Sequence, residues 1–539
     1  MTGRAKWPIL VCAALLAVCG SRQTLAIEAY GPLQITGNVQ SQTLLRSRSM
    51  DNWTFVQNRN TLRLRLDYEW MKNGRFIDRW DVPWVKNSTL YLLYRGIYDS
   101  VYDIAPGGNL YDIDNNPAGS INSLSGDRRD ALKFQNDLRE AYVDLEFRDI
   151  PLSLRLGKQQ VVWGETDNFR MLDRANPLDL TWHQVYESWD DLRRPLWMIK
   201  ALWKVGYLGP LSDSFIETYW NPGDWYPAKQ GFLPDYPWGI PFADPLAPAF
   251  SAFGWTGYAY GTKPFQQGNY SRDPGDNSQV GVRFSAVTPQ GVQFTLNYFY
   301  QRWAGDDGTN STGFAALTNW DQINAALARN QAPIEYIAPY VHTVGGSLNY
   351  SEDTYTETVY RLETVYDFGV PFSDRDKPSP LAPGLYGVTK RNMWKGMLAW
   401  DRPTWIRVLN RKNTFFFSGQ WFWHYLDKKP SFIGGLDQTG QDRDNIRRWE
   451  MVFTLLASTY YVNGTVIPTL AYGVDPMNSW NMFAGWSVDY YVTNELIARL
   501  GQNYFLAAGA GSMPAFETWS LGGLNRGRSE TVLRLTYQF

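Results

Sequence analysis

The chain has 539 residues and a formal net charge of −2; 16% of its residues are aromatic, and its two cysteines are Cys12 and Cys19. A near-neutral balance with no basic stripe excludes a nucleic-acid partner, and the absence of cysteine after residue 19 excludes disulfide scaffolds and zinc–thiolate sites from the rest of the chain. No run of eighteen apolar residues follows the N-terminal stretch, which excludes membrane-spanning helices but not strands, since strands devote only alternate residues to lipid.

Arg4 and Lys6 precede an apolar or small run over 7–18 and a Thr24-Leu25-Ala26 end. A charged start, a short apolar middle and small residues near the exit describe a secretory signal peptide. Residues 1–26 are read as that signal, and 27–539 as one domain. The box Leu16-Ala17-Val18-Cys19 resembles a lipid-attachment site, but Val18 is bulkier than the small residue such a box carries, so this reading ranks second.

Period-2 alternation begins at once, with Leu33, Ile35, Gly37 and Val39 opposite Gln34, Thr36, Asn38 and Gln40. The strand at 62–70 sets Leu62, Leu64, Leu66, Tyr68 and Trp70 against Arg63, Arg65, Asp67 and Glu69. Four charges on one face require that face to meet water. Further strands are expected at 89–98, 135–147, 152–163, 196–206, 214–220, 278–287 and 291–303, and one more between a long 304–339 link and a short 351–354 turn. The series continues at 356–368, 392–401, 414–425, 447–460, 465–474, 481–491, 496–505 and 531–539. Each is about 10 residues long, enough to cross a bilayer at the usual tilt.

Long polar links at 99–134, 164–195, 221–277, 304–339 and 426–446 alternate with tight ones such as 148–151 and 288–290. A short helix is expected at 321–329, and Asn463-Gly464 reads as a two-residue hairpin turn with positive φ at both positions. The fold class is therefore all-β: a transmembrane antiparallel β-barrel of about 18 strands, with 16 as the alternative, and long external loops. The final strand alternates Thr531, Leu533, Leu535, Tyr537 and Phe539 with Val532, Arg534, Thr536 and Gln538. Its Tyr537-x-Phe539 end resembles the insertion signal of bacterial outer-membrane barrels, which implies the barrel assembly machinery and outer-membrane lipid as partners.

The run Arg155 to Asp167, containing Trp163-Gly164-Glu165, and the following Asn176-Pro177-Leu178-Asp179 resemble a family of proteobacterial outer-membrane proteins known as a domain of unknown function. Tyr360-Arg361-Leu362-Glu363, Pro371-Phe372, Asp401-Arg402-Pro403-Thr404-Trp405, Asn410 and Phe415-Phe416-Phe417 extend the likeness. The resemblance implies a barrel in the outer membrane of a Gram-negative bacterium, associated with export or uptake of hydrophobic compounds and so with inner-membrane or periplasmic transport partners.

If lipid takes the apolar face, then Arg63, Arg65, Arg155, Arg283, Arg361, Glu363 and Arg534 point into the lumen, where charge selects among solutes. The competing reading pairs the arginines with Asp67, Glu69, Asp144, Glu146 and Glu363 as a packed polar interior. A proline-rich stretch at 232–253 carries Tyr236, Trp238, Phe242 and Phe250, and is expected to form a constriction or a loop packing on its neighbours. No cofactor, metal or catalytic group is expected: His183, His342 and His424 lack metal spacing, and Pro117 breaks the calcium-loop pattern begun by Asp112 and Asp114. The function expected is a channel or transporter for small solutes, hydrophobic ones included, through a charged lumen. The alternative is a non-conducting surface barrel whose loops bind a partner.

Overall fold

A computed structural model describes residues 27–29, 33–47, 53–77, 79–104, 130, 133–180, 187–226, 266–267, 274–305, 314–316, 320–328, 334–336, 338–378, 386–428, 448–477, 480–507 and 529–539. The expected 1–26 signal and the aromatics Tyr236, Trp238, Phe242 and Phe250 lie outside these residues. Among the described residues, alternating sequence becomes an antiparallel sheet of 21 strands, of which three are pieces of two or three residues and 18 form the wall; three further short strands form a separate sheet.

In chain order the wall strands begin with β1 (Leu33–Ser47), β2 (Trp53–Lys72), β3 (Val85–Asp99), β4 (Phe134–Phe147), β5 (Leu152–Gln159) and β6 (Leu196–Leu208). Next come β7 (Leu211–Asn221), β8 (Gln279–Val287), β9 (Gln293–Arg302), β10 (Tyr340–Glu352), β11 (Thr358–Pro378) and β12 (Tyr386–Thr404). The circuit ends with β13 (Phe415–Leu426), β14 (Trp449–Ser458), β15 (Val466–Asp475), β16 (Asn481–Tyr491), β17 (Leu496–Ala507) and β18 (Ser529–Gln538). Each strand pairs with the next, and β18 pairs back onto β1 from Asn38↔Gln538 to Ser47↔Ser529. That pairing removes the free edges that hydrocarbon would leave unsatisfied.

The seam is fixed by Gly37, whose N–H donates to the Phe539 carbonyl at 2.8 Å while the Phe539 N–H donates back at 3.0 Å. A side chain at Gly37 would run into the Arg63 carbonyl and approach the Phe539 ring at 2.8 Å. Register matters here, because a one-residue slip would send every charged side chain of β1 and β2 to the opposite face.

The outer surface is an apolar skin. Leu64, Val282, Leu296, Leu348, Leu398, Leu470, Leu500 and Leu535 are exposed around the circuit, Leu470 at 60%. In water such a continuous apolar surface would drive association; against lipid it is the required partner. With its apolar band and closed seam, this is an outer-membrane-type barrel, and its place is the outer membrane of a Gram-negative bacterium.

Two local expectations change. The Asn463-Gly464 turn is longer than a two-residue hairpin: Tyr461 bridges Val466, and Val462 joins Asn463 and Gly464 at positive φ. The strand expected over 152–163 leaves the wall after Gln159. The expected helix is present at Trp320–Ala328.

Candidate functional site

From Gln160 the chain turns into the barrel instead of extending outward, and Met171 to Asp179 form nine consecutive buried residues. Asn176 fastens both ends of this excursion. Its Oδ1 accepts the Val161 N–H at 2.7 Å, and its Nδ2 donates to the carbonyls of Gln159 at 3.1 Å and Arg194 at 2.9 Å. A narrow ribbon completes the clasp, with the Arg194 N–H on the Pro177 carbonyl and the Asp179 N–H on that of Leu192, both at 2.8 Å. The 164–195 link expected as an external loop is therefore interior in its described parts.

The first half of the segment docks on an acidic wall. Glu363 on β11 accepts two backbone N–H groups, from Glu165 at 2.7 Å and Leu172 at 2.6 Å. Asp367, two inward positions further along β11 past the buried Val365, receives Arg174 at 2.6 Å and Lys395 at 3.1 Å. Asn349 donates to the Glu165 carboxylate at 2.8 Å, while Arg361 bonds Asp167 at 2.9 Å and Asp401 at 3.0 Å. Burial raises the Glu165 carboxyl above its ordinary range, with Arg361 and Arg283 opposing. Trp163 packs on Tyr219 and Phe299, and its Nε1 donates at 3.1 Å to Glu217, which also holds Arg283 and Lys200. Gly164 is required by closeness: a Cβ there would lie 2.8 Å from the Asp173 backbone nitrogen.

The second half docks on an arginine wall across the lumen. Arg63 meets Asp191 through Nε to Oδ1 at 3.2 Å and Nη2 to Oδ2 at 2.6 Å, and Arg59 pairs with Glu187. Arg95 donates to the Asp191 carbonyl at 3.1 Å, and Arg139 to the carbonyls of Asp190 at 2.7 Å and Arg193 at 2.6 Å. Burial pushes the Asp191 carboxyl up, but Arg63 and Arg95 outweigh it and hold it at about 2. Between this wall and the segment lies a cavity of about 410 Å³, reaching down to Asn38 and Gln538 near the short-turn end.

Strand alternation puts the seven charged residues expected in the lumen on the face opposite exposed apolar neighbours such as Leu64, Leu156, Val282, Tyr360 and Leu533. Arg63 and Arg534 belong to the arginine wall, where Arg534 bonds Gln42 at 2.8 Å; Arg361 and Glu363 hold the first half of the segment, while Arg283 bonds Glu217 of β7 and lies 5.3 Å from the Trp163 ring. Arg65 and Arg155 form a separate strip, pairing with Asp67 at 2.6 Å and Asp144 at 2.7 Å over the stacked Tyr91–Tyr142 rings. Other expected pairings differ: Glu69 meets Lys72, Glu146 meets Lys86, and Glu363 caps backbone rather than an arginine. Tyr537 and Phe539 stack at 6.4 Å at the seam. Sequence reasoning missed Arg59, Arg95, Arg139, Glu217 and Asp367, all on wall strands. Arg59 and Asp367 were findable by extending the alternation of their strands, whereas Arg139 sits at a register shift between β3 and β4 that hides its direction.

A family model described as "Protein of unknown function (DUF1302)" matches residues 46–539. The chain belongs to this family. No curated protein matches the DUF1302 chain. Among solved structures it is similar to Acinetobacter baumannii OccAB1, at 9% identity and TM-score 0.45 over 96% of this chain and 99% of that one. It is also similar to Pseudomonas aeruginosa OpdK with vanillate, at 8% identity and TM-score 0.44 over 94% and 98%. A third, the Salmonella typhi OmpF complex with daunomycin, shows 8% identity and TM-score 0.36 over 94% and 97%.

Proposed function

We infer that the protein is an outer-membrane channel for small solutes, with its aperture set by the inward-folded stretches 160–180 and 187–195. The observation that carries this reading is the position of that segment: it is held by charged and polar groups from both walls, in a cylinder whose strand number encloses water. A scaffold without a conducting role needs no such interior; an apolar filling would serve it better, since buried ion pairs add little net stability.

In this reading Arg63, Arg65, Arg155, Arg283, Arg361, Glu363 and Arg534 set the field that a solute crosses, and no catalytic step is required. Residues 1–26 direct export, Tyr537 and Phe539 present the barrel to its assembly machinery, and inner-membrane or periplasmic transport partners pass solute to or from the lumen. Liposome swelling tests the reading with sugars, amino acids and small aromatic solutes of graded size. Size-dependent swelling is expected; a barrel that passes none of them would be a closed surface protein.

A further inference from the structure

The arginine wall contains an arrangement that a folded sheet avoids unless something negative sits against it. Arg63 and Arg95 are direct cross-strand partners on β2 and β3, and Arg499 and Arg534 are direct partners on β17 and β18. Like charges in directly opposite positions destabilise a sheet. Asp489 answers Arg499 from within the wall, at 2.5 and 2.6 Å. Arg63 and Arg95 are answered chiefly by the inward segment, through the Asp191 carboxylate and carbonyl.

The neighbouring contacts follow the same pattern. Glu187 is set on Arg59, and the backbone carbonyls of Asp190 and Arg193 are set on Arg139. The short stretch 187–193 supplies most of the negative ends and the wall the arginines, while β4 adds Glu140 to the cavity lining and Asp137 at 3.7 Å from Arg139. Arg95 is 6% exposed, and its Nε has no hydrogen-bond partner among the described residues. The cavity of about 410 Å³ lies directly against Arg63, Arg95, Arg139 and Arg534, with Tyr91 and Leu93 as its apolar lining.

We propose that this wall is a binding site for a small organic carboxylate with an apolar body, and that Glu187 and Asp191 occupy it as tethered stand-ins for that ligand. The proposal rests on the channel reading for its biological sense but not for its chemistry. The planar fork of an arginine donates to any carboxylate in the two-bond geometry that Arg63 makes with Asp191. A free carboxylate entering the cavity competes with the tethered ones, so its apparent affinity is lowered by the fraction of time the segment stays docked. Tyr91 and Leu93 would cover the apolar body.

The test is calorimetric titration of the detergent-solubilised full barrel with hexanoate, and with hexylammonium as the cationic counterpart. In the Glu187→Gln/Asp191→Asn variant hexanoate should bind about tenfold tighter or more, as expected when a competing docked state is removed, with no gain for hexylammonium. Adding Arg95→Gln and Arg139→Gln should cancel the gain. Equal hexanoate affinity in wild type and double variant, or an equal gain for hexylammonium, overturns the proposal. Folding is read from the heat-dependent electrophoretic mobility of a closed barrel. If the double variant fails to fold, Asp191→Asn alone must shift hexanoate affinity in the same direction, and no shift overturns the site. Bilayer conductance is measured in parallel: tighter hexanoate binding in a barrel without conductance would remove the channel and leave the site.

Discussion

Arg174 and Asp367 meet at 2.6 Å across a separation of 193 residues, with Asp367 fully buried on the wall and Arg174 carried in by the inward segment. Thr343 and Lys395 complete the Asp367 shell. This pair, with Glu363 beside it, fastens the segment to β11.

Removing the charge from that wall position should loosen the segment without opening the sheet. Asp367→Asn leaves Arg174 and Lys395 facing a neutral amide, a change costing about 3–5 kcal/mol for a buried pair. The variant should remain a barrel, unfold at a lower temperature in detergent, and show larger and noisier single-channel currents. Currents and melting identical to wild type would show that the pair does not hold the segment.

Gly164 permits a close backbone approach, so Gly164→Ala forces a Cβ toward the Asp173 nitrogen at 2.8 Å. Neither partner is the free end of a side chain, and overpacking of this kind typically costs about 1–3 kcal/mol. The expected result is increased protease access to the segment in folded barrels. An unchanged digestion pattern would mean that the backbone gives way without displacement.

The pH response of the second half follows from Asp191. Its carboxyl is held at about 2, below the ordinary carboxylate value near 4, so its pairing with Arg63 and Arg95 contributes fully above about pH 4. That contribution is lost as pH falls toward 2. Wild-type conductance should therefore change in a step between about pH 4 and 2, and Asp191→Asn should lack the step. A wild-type step that survives in the variant would assign the response to another group.

Closure of the wall depends on the empty side-chain position at Gly37. Gly37→Val would drive a branched side chain against the Arg63 carbonyl and the Phe539 ring. The folded fraction on refolding into detergent should fall severalfold, whereas the same change at Gly291, in a turn with nothing within 4 Å but a φ of +78°, should cost less than closure does. Similar folded yields for the two variants would dissociate Gly37 from the seam.

The wall was legible in the sequence because each strand carries its own evidence: Leu62, Leu64 and Leu66 against Arg63 and Arg65 announce both the strand and its inner face. The site was legible only in fragments. Val161 and Trp163 are buried and Val162 is exposed, so alternation continues past Gln159. Yet the Val161 N–H goes to Asn176 and not to a neighbouring strand, so the same period describes a chain that has already left the sheet. The docking of Leu172 on Glu363 joins residues 191 apart, and no local pattern encodes such a pairing. The arginines of the lumen could be named singly, but their grouping depends on which strands become neighbours, and on a terminal strand returning to the first.

The Asn176 clasp makes the excursion a ring closed without covalent help. A backbone cut between residues 180 and 187 would leave Asn176, Pro177 and Asp179 attached on one side and Leu192 and Arg194 on the other, still bonded to each other. A nicked molecule would thus run as two fragments once denatured, yet carry an intact obstruction while folded.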